Sequence, residues 1–165
     1  MYQILFVCTA NICRTPLAKY YLKLRVEQEN LHDRIEVLSA GTWAREGAPA
    51  AEFSQVVCKE NGMDASAHVS RGIDIHLMKT ADLVLCMSGE QKRDLSAIFP
   101  QFRPKIFLLK EYPIQGSNEF ATIPDPYGRK LEKYRETFEA IKKEVDRIFP
   151  IIKEKAQEKK RLAVN

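Results

Sequence analysis

The chain has 165 residues, 45% hydrophobic and 29% charged, enough to bury one core and too apolar for a disordered or fibrous protein. Four cysteines make no disulfide scaffold, no apolar run approaches the ~20 residues of a membrane span, and the start carries no secretory leader, so a reducing cytoplasm is expected. Of the net charge of +4, residues 151–165 hold five cations against two carboxylates, so the body has no basic stripe for nucleic acid.

Tyr2–Val7 is an apolar, β-rich run expected as a buried strand. After the Cys8–Arg14 segment, Pro16 suits the first turn of a helix, and Leu17, Tyr21 and Leu24 continue it at helical spacing. Ile35–Leu38 is a second strand, ending in the loop chemistry of Ser39-Ala40-Gly41-Thr42. Ala51–Glu60 reads as a helix with Phe53, Val56 and Val57 on its inner side, stopped by Asn61-Gly62. Asp82–Met87 is a third strand, Ser88 caps a helix to Ile98, and Lys105–Leu109 is a fourth strand. Tyr112–Gly128 holds Pro113, Pro124 and Pro126 with two glycines, a long loop of the kind that carries function. Leu131, Tyr134, Phe138, Ile141, Val145, Ile148 and Ile152 then step by 3 and 4 along a last helix, which Pro150 should kink or interrupt near Phe149.

The alternation of strands and helices predicts an α/β fold of βαβ units with a mainly parallel sheet. The division expected is a domain over 1–150 and a basic helical extension or tail over 151–165. Ligands in such sheets bind beyond the carboxyl ends of the strands, which directs attention to the segments after the first three strands.

The first strand runs into Cys8-Thr9-Ala10-Asn11-Ile12-Cys13-Arg14-Thr15-Pro16. A loop of this length between strand and helix can turn its N–H groups inward and make a nest for an oxyanion, here residues 9–14. The helix start adds positive dipole, and the planar fork of Arg14 can grip two oxygens. Such a field also lowers a thiol pKa, so Cys8 at the bottom is a candidate nucleophile for phosphoryl transfer. Asn11 suits a positive φ, and its side chain is expected to be fixed by the hydroxyls of Ser39 and Thr15 and by His68. A thiolate attacking phosphorus needs a general acid opposite, and Asp125, between Pro124 and Pro126, is the candidate. An inert buried thiol is the other reading of Cys8, and on spacing alone Asp125 is no more than an Asp-Pro turn.

These segments together resemble the low-molecular-weight protein tyrosine phosphatases: the Cys8–Pro16 run, Ser39-Ala40-Gly41-Thr42, His68, and Asp125-Pro126-Tyr127, in matching order from Met1 to about Phe149. The resemblance implies one four-stranded parallel sheet flanked by helices on both faces. It implies Cys8 as nucleophile, Arg14 as phosphate clamp, Asp125 as acid and then base, and Asn11, Thr15, Ser39 and His68 as the net that holds the loop. It implies Trp43 and Tyr127 as walls of the pocket mouth. The family usually has Gly at the position of Ala10 and Ser at that of Thr15. A positive φ at Ala10 would cost ~1 kcal/mol or more.

The expected reaction is hydrolysis of protein phosphotyrosine, without metal or organic cofactor, by a monomer or weak homodimer. His32, His68 and His76 show no ligand spacing, and nucleotide-binding glycine patterns are absent. Protein-arginine phosphatases are a rival, but Ile12 packs on a phenyl ring better than on a polar guanidinium. A thiol-dependent arsenate reductase would need a cysteine relay that Cys86 and Cys58 do not supply, and a phosphate-binding module would need neither Cys8 nor Asp125. Cys13 is expected to capture an oxidised Cys8 as a disulfide, a reversible shut-off.

Overall fold

A computed structural model of the chain describes residues 1–117 and 121–164. Four apolar runs form strands: β1 (Tyr2–Cys8), β2 (Ile35–Gly41), β3 (Leu83–Cys86) and β4 (Ile106–Leu108). They make one parallel sheet in the order β2-β1-β3-β4, with Tyr2 opposite Ile35 and Ile4 opposite Leu83. Parallel neighbours need crossovers, and helices supply them: α1 (Arg14–Gln28), α2 (Glu52–Glu60), α3 (Ile75–Thr80) and α4 (Gly89–Ile98), with α5 (Leu131–Val164) closing the chain.

Side chains alternate along β1, so Ile4, Phe6 and Cys8 enter one apolar layer and Leu5 and Val7 the other. Leu17 of α1, Val57 of α2 and Phe138 of α5 fill the first layer, and Leu77, Met78 and Leu95 of α3 and α4 fill the second. Helices therefore cover both faces, which is why the strands read as continuous apolar runs.

Several local expectations change. β2 runs on to Gly41, because Ser39, Ala40 and Gly41 pair with Phe6, Val7 and Cys8. These residues are small because the strand end approaches the next loop: a Cβ on Gly41 would stand 2.4 Å from the Thr9 carbonyl oxygen. The inner face of α2 carries Ser54, Val57 and Cys58, while Phe53 is exposed and Val56 half-buried. α3 and a 3₁₀ segment at Pro100–Lys105 are too short to show periodicity, although the Asp74 carboxylate caps α3 by accepting the Leu77 N–H at 2.8 Å. The expected long loop after β4 includes residues 118–120, which lie outside the described residues.

α5 passes Pro150 without the expected interruption. Ile148, Phe149, Ile152 and Ala156 are buried on both sides of it, and this packing outweighs the hydrogen bond that proline forgoes. Lys153 pairs with Glu29 and Lys159 with Asp82, each at 2.7 Å, so part of the basic charge near the end is neutralised by the body. Among the described residues no helix is long and apolar enough to cross a membrane. β1 lies between β2 and β3, where strand order reverses, and its carboxyl end opens on the crevice such sheets use for ligands.

Candidate active site

Cys8 ends β1 and Arg14 starts α1, so residues 9–13 form the whole turn between them. Asn11 takes φ 59°, the left-handed conformation its short polar side chain tolerates. Ala10 has no positive φ, so its methyl group carries no such strain. The Asn11 amide Nδ2 donates to Thr15 Oγ1 at 2.7 Å, and Oδ1 accepts the Arg71 N–H at 3.0 Å. Ser39 does not join this net. It sits in the ladder opposite Phe6 instead of in a free loop, and its hydroxyl has no partner among the described residues. Arg71 takes that place, its Nε donating to the Ser39 carbonyl at 3.1 Å.

The carbonyls decide what the loop can bind. Cys8 O accepts from Thr42 N–H (3.0 Å), Thr9 O from Trp43 N–H (2.9 Å) and Ile12 O from Ala51 N–H (2.8 Å). Asn11 O meets His68 Nε2 at 2.7 Å, and Cys13 O accepts from the Ser54 hydroxyl at 3.0 Å. In a planar trans peptide the N–H of the next residue points opposite to the carbonyl. Five carbonyls drawn outward therefore turn the N–H groups of Thr9, Ala10, Ile12, Cys13 and Arg14 toward the inside of the turn. That is an anion nest, at a helix N-terminus.

At its base lies Cys8 Sγ, which accepts the Asn11 N–H at 3.3 Å and stands 3.3 Å from Thr15 Oγ1. Because the Thr15 oxygen already accepts from Asn11, its own proton is free to point at the sulfur. His68 donates through Nε2, since a carbonyl can only accept, and burial followed by the nearby cations Lys19, Arg71 and Lys23 holds its pKa below the ordinary histidine value.

Arg14 is buried, with Nη1 donating to the Ile123 carbonyl at 3.1 Å and Nη2 standing 3.7 Å from Asp125 Oδ2. Asp125 is about half exposed, and Oδ1 accepts the Tyr127 N–H at 3.1 Å. The carboxyl thus makes its own turn and also stands at the mouth. Cys8, Thr9, Ala10, Ile12, Cys13, Arg14, Asp125 and Tyr127 line one cavity of about 240 Å³. Trp43 is 79% exposed and lies outside that lining, so its contribution here is its backbone N–H. A larger groove of about 770 Å³ runs beside α2 past Pro49, Val56 and Met63, but it gathers no nucleophile or donor set of this kind.

Cys13 lies 3.5 Å from Tyr134 Oη, and burial pushes its thiol up to about 11. Cys58 and Cys86 are core residues whose thiols burial also raises. Sequence reasoning misses Arg71, Ala51, Ser54, Ile123 and Gln91, all brought to the loop from far along the chain. Only Gln91 left a local signal, as the third residue after Ser88 in a capping-box spacing.

A family model described as low molecular weight phosphotyrosine protein phosphatase matches residues 3–160. A protein-arginine-phosphatase of Bacillus subtilis (strain 168) is 36% identical over 82% of this chain and 86% of its own length. A low molecular weight protein-tyrosine-phosphatase of Acinetobacter johnsonii is 37% identical over 82% of this chain and 87% of its own. Among solved structures, an arginine phosphatase from Geobacillus stearothermophilus superposes with TM-score 0.83 at 34% identity, covering 96% of this chain and 97% of that one. A low molecular weight protein tyrosine phosphatase from T. tengcongensis gives the same TM-score and identity over 91% and 99%.

Proposed function

The chain belongs to the low molecular weight phosphotyrosine protein phosphatase family, and from that premise we propose that it hydrolyses phosphotyrosine in proteins through a phosphocysteine intermediate. The Cys8 sulfur attacks phosphorus. An S–P bond forms while the P–O bond to the tyrosine breaks, and Asp125 gives its proton to the departing oxygen. Asp125, now a carboxylate, then takes a proton from the water that attacks the same phosphorus. The S–P bond breaks, and phosphate leaves with the thiolate restored. Charge that builds on the three equatorial oxygens is met by the inward N–H groups and by the Arg14 fork.

One observation carries the reading: five loop carbonyls bonded outward around a buried sulfur. For the substrate, Ile12 and Tyr127 offer an apolar and an aromatic wall on which a phenyl ring packs. A second reading, phosphoarginine, is supported by relatives named as arginine phosphatases and by a carboxylate, Asp125, in the cavity lining, which would pair with a guanidinium. The test is a panel of phosphotyrosine peptide, phosphoarginine peptide and arsenate. Phosphotyrosine should be turned over fastest; a preference for phosphoarginine makes the second reading the function, and reduction of arsenate overturns both. Cys8→Ser should abolish turnover while oxyanion binding persists, and Asp125→Asn should slow it ~10²–10⁴-fold. Unchanged rates in either variant contradict the mechanism.

A further inference from the structure

Gln91, the third residue of α4, is buried although its side chain is a neutral amide with four hydrogen-bonding sites. Its Oε1 accepts the N–H groups of Met87 (3.0 Å) and Ser88 (2.9 Å), and its Nε2 donates to Thr9 Oγ1 at 3.2 Å. The first two bonds are an ordinary cap for α4. The third is not, because it leaves the helix for the nucleophile's turn, 82 positions earlier in the chain.

From Met87 the connection continues. Its carbonyl accepts the Ile123 N–H at 2.8 Å, and the Ile123 carbonyl accepts Arg14 Nη1 at 3.1 Å. Thr9, Gln91, Met87, Ile123 and Arg14 therefore close a ring of hydrogen bonds that leaves one end of the phosphate nest and returns at the other. Asp125 comes two residues after Ile123, with only Pro124 between; the ring of Pro124 restricts Ile123, and that of Pro126 restricts Asp125. The height of the Asp125 carboxyl over the cavity thus depends on where Met87 holds Ile123, and the Met87 N–H is shared between the Val7 carbonyl of β1 and Gln91 Oε1, each at 3.0 Å.

We propose that Gln91 is the positioning residue that registers the Asp125 loop against the Cys8 nest, a role that rests on the phosphatase reading of the site. Gln91 does not touch the reacting atoms, so its contribution lies in keeping the proton donor aligned with the leaving oxygen, where small displacements are costly.

The experiment compares kcat/KM for a series of aryl phosphates of rising leaving-group pKa in wild type, Gln91→Met, Asp125→Asn and the double variant. Gln91→Met keeps the volume and removes every polar contact, and Gln91→Glu keeps the cap acceptor while removing the Nε2 donor. Circular dichroism and the unfolding midpoint select conditions in which each variant is folded. Gln91→Met should lose about tenfold on the poorest leaving groups and little on p-nitrophenyl phosphate, with KM nearly unchanged. In the Asp125→Asn background the same substitution should cost nothing further, because the group it positions is gone. Equal losses across all leaving groups, or an undiminished loss in the Asp125→Asn background, would overturn the proposal. A wild type that hydrolyses none of the series would instead sink the phosphatase reading.

Discussion

Asn11 bears more of the site than its size suggests. It supplies the left-handed turn, its backbone N–H holds the sulfur, and its amide ties Thr15 to Arg71. Asn11→Ala would force a Cβ residue without side-chain compensation into positive φ and remove the amide from both Thr15 Oγ1 and the Arg71 N–H. The expected loss is about 3 kcal/mol, read by urea unfolding, with turnover falling in the fraction that stays folded. Cys8 and Cys13 share one cavity, so we expect mild peroxide to convert Cys8 to a sulfenic acid. Cys13 would then attack it, forming the S–S bond with loss of water. The raised pKa of Cys13 makes that second step slow near neutrality and faster as pH rises toward about 11. Peptide mapping after oxidation that finds Cys8 overoxidised and unbridged at every pH would reject this. At this scale the nest was legible, since an oxyanion and a sulfur dictate residue types at fixed spacing. Ser39 lies in the ladder and not in a loop, since a small polar residue looks the same in a loop and at a strand end. Arg71 and Ile123 were invisible because a bond across 60 or 109 positions has no local signature.

Strands announced themselves as short apolar runs bounded by breakers, and α5 as a long unbroken period. α3 left too few residues for a period to form, and β2 hid its last three positions in Ser-Ala-Gly. α5 is held along its length by α1: Tyr21 Oη donates to Asp146 at 2.6 Å, Arg25 bonds the same carboxylate, and Tyr21 meets Phe138 edge to face. With Ile152 and Ala156 buried beyond it, Pro150 is held from both sides and does not break the helix. Pro150 is exposed, so replacing it by alanine restores a helical hydrogen bond without disturbing the buried face. Pro150→Ala should stabilise the protein by about 1–2 kcal/mol, the recovered bond and lost clash being partly offset by a more flexible unfolded chain. A lower midpoint for this variant in denaturant would mean that proline is needed to direct the last turns onto Glu29 and Asp82.

Over the whole molecule, acid should act in two stages with the same sign. His68 has a folded pKa below its ordinary value, so the unfolded chain takes up its proton first. The stability it contributes is complete above about pH 6.5 and declines as pH falls below that. Glu111 is buried, which alone would raise its pKa. Lys92 and the N–H groups of Leu108 and Gly116 reverse that effect and leave it lowered, and for Asp146 the bonds from Tyr21 and Lys142 likewise outweigh burial. These carboxylates contribute stability above their unfolded values and lose it as pH falls further, through their folded values. Urea midpoints between about pH 2 and 8 should show both stages, and His68→Gln should remove the first alone. The arrangement of the sheet has a consequence for synthesis as well. The Cys8 sulfur closes the first strand, whereas the carboxyl we propose as its proton donor stands just ahead of the final helix, whose docking onto α1 completes the core. A ribosome therefore emits the proposed nucleophile well before its proton donor, and on that reading the nascent chain stays catalytically mute until Asp125 and the helix after it have emerged.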